Sequence, residues 1–129
     1  SKVILMSLEV DEVREVQELA PEMRVGYFAS VEVGDLRKLD VGIIGAKDSM
    51  VDPGFIRDMH ELGRAVYVWT IDDPLRVLEL AEMGADGIIT NDPVMAGKVI
   101  RRFESLTPEE RMLLRFRDFW AIFRELGWW

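Results

Sequence analysis

The chain has 129 residues, 49% of them hydrophobic, with a formal net charge of −8 and no cysteine. That length supports one domain or part of one. The absence of thiols excludes disulfides and thiolate metal sites, and the acidic balance argues against the basic surface that non-specific nucleic-acid binding needs. No apolar run reaches the ~18 residues of a spanning helix, and the composition leaves the compartment open.

Val3–Leu8 is an apolar run of strand type. Glu9-Val10-Asp11-Glu12 then opens a predicted helix. Its acids complement the positive end of the helix dipole. Val10, Val13, Val16 and Leu19 keep helical spacing up to Pro21. Val25–Ala29 is the next strand, Gly34–Leu39 a short turn or helix, and Val41–Gly45 a third strand. Asp52 caps a helix opened by Pro53, with Phe55, Ile56, Met59 and Leu62 predicted to face inward and Gly63 to stop it. Ala65–Ile71 suits a strand buried on both faces. Asp72-Asp73-Pro74 closes it, with Asp73 as N-cap. Leu75, Val77 and Leu78 continue the next helix, and Gly84 ends it. Asp86–Thr90 is a short fifth strand. Asn91-Asp92-Pro93 opens a helix to about Phe103 that uses Val94, Met95, Val99 and Ile100. Five strands joined by helices or turns predict an α/β fold with one parallel sheet. Neither G-x-G-x-x-G nor a Walker A pattern occurs, so a nucleotide site loses its main support.

Residues 105–129 form a separate predicted unit after the α/β part at 1–104. Thr107-Pro108-Glu109-Glu110 is a capping box with proline at the first helical position. The helix is expected to reach about Leu126, with Met112, Leu113, Phe116, Phe119, Trp120 and Phe123 as an apolar stripe. Trp128 and Trp129 follow, so six of the chain's twelve aromatics lie here. Such a stripe needs a surface. The chain's own sheet, a second copy and a membrane face are the three that suit it.

Val68-Trp69-Thr70-Ile71, followed by Gly84-Ala85-Asp86-Gly87-Ile88-Ile89-Thr90-Asn91-Asp92-Pro93, resembles the C-terminal signature of the glycerophosphodiester phosphodiesterase family. That signature reads V-W-T-V-N and then G-V-D-G-I-I-T-D-x-P. Val3–Ser7 resembles the family's strand ending in Ser-Phe, with Leu8 in place of Phe, and Pro21–Phe28 resembles its next strand. The resemblance covers roughly residues 2 to 103. It implies a partial TIM-type barrel, five parallel strands matching the last five of eight. A complete barrel takes about 250 residues.

The resemblance further implies metal-dependent hydrolysis of glycerophosphodiesters to an alcohol and glycerol 3-phosphate. The family's catalytic histidines and carboxylate ligands lie in N-terminal motifs: His-Arg-Gly, Glu-x-Asp, a nearby His-Asp, and Glu-x-Lys. None stands here in its context. The sole histidine, His60, falls within a helix, where a partly exposed surface role is expected. Glu9-Val10-Asp11 spells Glu-x-Asp but follows a different strand, and ordinary first-turn carboxylates explain it. The expectation is therefore no catalytic residue, no metal ligand and no cofactor held by this chain, and no activity alone. Trp69 is the main site candidate, because the matching Trp in the family lines the substrate pocket. A core Trp is the plain alternative. Thr70, Ser7 and Asn91 are expected near the same face as substrate-binding residues. Asp92, also near that face, suits a helix cap.

An open half-barrel exposes an apolar concave face and strand edges at Val3–Leu8 and Asp86–Thr90, and exposed edges invite pairing. A homo-oligomer or the N-terminal half of the barrel is the expected partner, with peripheral membrane contact through the last helix as a further option. Two functions remain open. One is a C-terminal part or degenerate member of the phosphodiesterase family. The other is a non-catalytic, self-associating half-barrel module.

Overall fold

The computed structural model describes residues 3–29, 36–114 and Gly127. Five strands alternate with helices: β1 (Ile4–Ser7), α1 (Val10–Leu19), β2 (Arg24–Ala29), β3 (Ile43–Lys47), α2 (Pro53–Glu61), β4 (Ala65–Trp69), α3 (Pro74–Met83), β5 (Gly87–Ile88), α4 (Pro93–Glu104) and α5 (Pro108–Leu113). Short 3-10 turns at Leu36–Lys38 and Asp48–Met50 flank β3. All four ladders are parallel, and spatial order repeats chain order, β1-β2-β3-β4-β5. This is the expected α/β architecture.

Local chemistry explains where the helices start. Asp52 accepts from Phe55 N, Asp73 from Leu75 N and Asp92 from Met95 N, each with proline at the helix start. Thr107 and Glu110 form the complete reciprocal box at α5. Gly84 ends α3 at φ 90°, a left-handed conformation that glycine adopts without steric cost. Glu9 precedes α1 without a side-chain cap bond.

Alternation along the strands divides the sheet into two unlike faces. Ile44, Ala46, Val66 and Val68 point to one face and are fully buried. They join one core with Val13 of α1, Ile56 and Met59 of α2, Val77, Leu78 and Leu80 of α3, and Ala96 and Val99 of α4. The other face carries Met6, Phe28, Tyr67 and Trp69, all half-buried. Large rings lie flat there because small residues sit beneath them. A Cβ on Gly45 would fall 2.4 Å from Phe28 Cδ1, and one on Gly87 2.8 Å from the Tyr67 ring.

Several expectations need correction. β4 is fully buried on only one face, since its inward side is half-open. β3 runs Ile43–Lys47, two residues later than expected, and β5 is only Gly87–Ile88. Hydrogen bonding between the chain segments of β4 and β5 nevertheless continues, with Ile71 N donating to Ile89 O at 2.9 Å. Leu19, Leu62 and Val94, assigned to inward stripes, are exposed, because each sits at a helix end beyond the sheet's cover. In α5, Met112 is exposed and Leu114 just after the helix is buried. Residues 115–126 and Trp128-Trp129 of the predicted aromatic helix lie outside the described residues, as do Gly34 and Asp35. No described helix is long and apolar enough to cross a membrane.

Candidate functional site

The sheet's inward face opens at the C-terminal ends of its strands into a concavity of about 250 Å³ lined by Leu8, Phe28, Trp69, Thr70 and Ile89. Four of the five are apolar. Leu8 directly follows β1 and stands 56% exposed at the lip. Phe28 and Trp69 meet edge to face, ring centroids 5.8 Å apart at 82°, the arrangement that aromatic quadrupoles favour. The Trp69–Thr70 peptide bond is cis. Trp69 Nε1 is buried and has no hydrogen-bond partner among the described residues. A buried N–H left without a partner is uncommon and costly.

Of the four expected site residues, the fold brings Trp69 and Thr70 into this lining. Ser7 and Asn91 stand at the same end of the sheet but outside it, with their polar groups engaged. Ser7 Oγ donates to Glu12 Oε2 at 2.5 Å and accepts from Glu9 N at 3.0 Å. Asn91 donates to Asp72 through both its backbone N and its Nδ2, each at 2.8 Å. Thr90 Oγ1 donates to the same carboxylate at 2.9 Å and accepts from Asp92 N at 3.0 Å. The Asn91 side-chain bond, then its backbone bond, then the Thr90 bond hold the Asp72 carboxyl below its ordinary value of 3.8. Asp72 thus ties the end of β4 to the turn after β5.

The remaining rim carboxylates are occupied in similar ways. Asp48 Oδ1 accepts from Arg76 Nε at 2.8 Å, and Arg76 Nη1 donates to Glu79 at 2.8 Å. Burial works against the Arg76 charge, but bonds to Glu79 and Asp48 and the attraction of both acids hold its pKa above the usual value. Asp73 and Asp92 cap helices, and Asp11 is an exposed partner of Arg14 at 3.6 Å. Among the described residues no group of three or more His, Asp or Glu can hold a metal ion. This donor set does not fit a divalent cation.

Two features escaped sequence reasoning. Lys47, the last residue of β3, pairs in register with Trp69 and is exposed. His60 Nε2 lies 2.7 Å from Asp86 Oδ2, which also accepts from Val66 N at 2.8 Å. That pair joins α2 to the N-terminal ends of β4 and β5, the end of the sheet opposite the concavity. Only the strand register brings these residues together, and sequence spacing carries no trace of it.

A model of the glycerophosphoryl diester phosphodiesterase family matches residues 1–95. Glycerophosphodiester phosphodiesterase GDPD4 of Arabidopsis thaliana is 25% identical over 108 residues, covering 79% of this chain and 33% of the relative. The structure of a glycerophosphodiester phosphodiesterase from Parabacteroides distasonis superposes with TM-score 0.69 at 26% identity, over 78% of this chain and 43% of that one. That of an Oleispira antarctica phosphodiesterase, in complex with the product sn-glycerol-3-phosphate, superposes with TM-score 0.70 at 24% identity, over 76% of this chain and 41% of that one. The chain therefore spans a third of this curated relative and about two fifths of these solved structures.

Proposed function

The chain belongs to the glycerophosphoryl diester phosphodiesterase family, and on that premise we propose that its half-barrel supplies the substrate wall for hydrolysis of a glycerophosphodiester. The observation that carries this reading is the apolar concavity around Trp69 at the C-terminal ends of the strands, the end at which barrels of this type place their chemistry. An indole there offers an apolar wall and one N–H donor to a glycerol or alcohol group. On this reading the divalent metal and the acid–base histidines belong to the family's N-terminal motifs. The chain contributes neither. His60 is held by Asp86 at the opposite end of the sheet, and the rim carboxylates are spent on caps, turns and Arg76.

The chain alone is accordingly expected to release no glycerol 3-phosphate from glycerophosphocholine with magnesium or calcium present, while sn-glycerol 3-phosphate shifts the Trp69 indole resonance. Hydrolysis that a chelator abolishes would show that the chain carries its own metal site. An indole resonance indifferent to glycerol 3-phosphate would remove Trp69 from the substrate wall. A second reading, a self-associating module without catalysis, is favoured by the open inward face and by edge strands β1 and β5, each paired on one side among the described residues.

A further inference from the structure

The two margins of the sheet are unlike in charge. β1 stands at one with α1 beside it, and β5 at the other with α4 beside it. On α1, Val10, Arg14 and Gln17 line the side that faces residues 38–41. Each residue advances about 100° around a helix, so Glu12, Glu15 and Leu19 lie on the opposite side, beyond β1. All three are exposed, and Glu12 is held there by Ser7 Oγ at 2.5 Å. The charges of α1 are Asp11, Glu12, Glu15 and Glu18 against Arg14. Those of α4 are Lys98, Arg101 and Arg102 against Glu104. An acidic margin thus stands at one end of the sheet and a basic one at the other.

The margins also differ in shape. At the N-terminal end of β5 a cavity of about 340 Å³ opens between Ile88, Ile100, Phe103 and Arg111. Arg111 stacks 4.8 Å over the Phe103 ring and donates to Glu104 O at 2.9 Å. Gly97 leaves room for Arg101, whose Nη1 lies 3.1 Å from where a Cβ would stand. Gly97 shares that side of α4 with Ile100 and Glu104 by helical spacing. The other margin carries projections at the same level. Val3, just before β1, is 61% exposed, and Leu19, at the end of α1, is 78% exposed. Val3 shares a face with Leu5, whose ladder partner Val25 belongs to the core. It therefore belongs to the helix side of the sheet, the side of Ile88.

We propose that a second copy of this chain docks head to tail on the β5 margin, its β1 edge beside β5, its Val3 and Leu19 in the cavity and its Glu15 opposite Arg101. The added ladder is parallel, like the four within the chain. The inference rests on the self-associating reading above and narrows it to one pair of surfaces. It is independent of the glycerophosphodiester reading. The contact joins two different patches, so each copy keeps a margin free unless the assembly closes into a ring. Glu15, Leu19 and Arg101 are exposed, which lets them be changed without disturbing the core.

Dissociation constants are read from sedimentation equilibrium of the whole chain and its variants. Leu19→Ser is expected to weaken association by at least about tenfold, since it removes a buried leucine from the contact. Glu15→Arg should weaken it several-fold, even though it lessens the net charge of −8 that makes copies repel. Adding Arg101→Glu to Glu15→Arg restores the opposite signs and should restore the affinity. Orientation is read by cysteines, because the chain has none of its own. Leu19→Cys and Glu104→Cys chains, mixed and oxidised, are expected to form a cross-linked pair, and neither chain to form one alone. Cross-linking of Leu19→Cys to itself, or none in the mixture, overturns the head-to-tail contact. Association unchanged in Leu19→Ser and Glu15→Arg overturns these margins and leaves the self-associating reading standing. A single-chain mass at every concentration overturns both and points to the N-terminal half of a barrel as the occupant.

Discussion

Gly45 shows how one missing side chain shapes the site. The Phe28 ring occupies the space that a Cβ at Gly45 would fill, 2.4 Å from Phe28 Cδ1, and from there it meets Trp69 edge-on. Gly45→Ala must push Phe28 away from the strand. A loss of about 1–3 kcal/mol is expected from such overpacking, together with a changed Trp69 indole environment. Denaturant melts and the indole resonance read the two effects separately, and an unmoved resonance would contradict the link. Asp72 is a residue of another kind, anionic and tied to Asn91 and Thr90. Its folded pKa lies below the ordinary 3.8. The stability it contributes is therefore complete above the unfolded value and is lost as pH falls through the folded one. Asp72→Asn is expected to melt earlier than the parent at neutral pH, and the gap to narrow as pH falls below the ordinary carboxylate value towards the lowered folded one. A gap of constant size across that range would mean that the carboxylate's charge is irrelevant.

Elements were legible in the sequence wherever their signals were local. Asp52-Pro53, Asp73-Pro74, Asp92-Pro93 and Thr107-Pro108 each marked a helix start, and the bonds are where the spacing puts them. Asp92→Ala should cost α4 about 1 kcal/mol, measurable by urea melts. A cost near zero would mean that Met95 N finds another acceptor. What stayed hidden depended on pairing between strands. The contacts His60–Asp86, Asp72–Asn91 and Lys47–Trp69 join residues far apart in the chain, and only the ladder register creates them. The register also explains the misread faces. The continuous apolar run Ala65–Ile71 looked buried throughout. In the sheet its odd-numbered β4 residues, Ala65, Tyr67 and Trp69, line the open side. Of the site, Trp69 and Thr70 were readable from the family signature. Ser7 and Asn91 share that neighbourhood, but their donors and acceptors serve the turns around it.

For the whole molecule the decisive property is asymmetry. One face of the sheet is sealed by α1 to α4, and the other keeps Phe28, Tyr67 and Trp69 half-buried. Apolar faces and free strand edges favour association. Light scattering over a dilution series is expected to give a mass above that of one chain, falling as the protein is diluted. A constant single-chain mass would defeat the self-associating reading and leave the substrate-wall reading untouched.

The identity between chain order and spatial order across the five strands has a bearing on synthesis. Each strand's neighbour is the one made just before it, so an emerging segment always finds its template finished and never waits for a distant one. Each ladder closes one strand–helix unit and not the whole chain, and growth from the N-terminus suits that order. The same arithmetic governs genetic change. A further strand–helix segment can be appended at either margin without re-threading anything already in place, so a ring can be lengthened, cut or rejoined by simple concatenation of coding sequence.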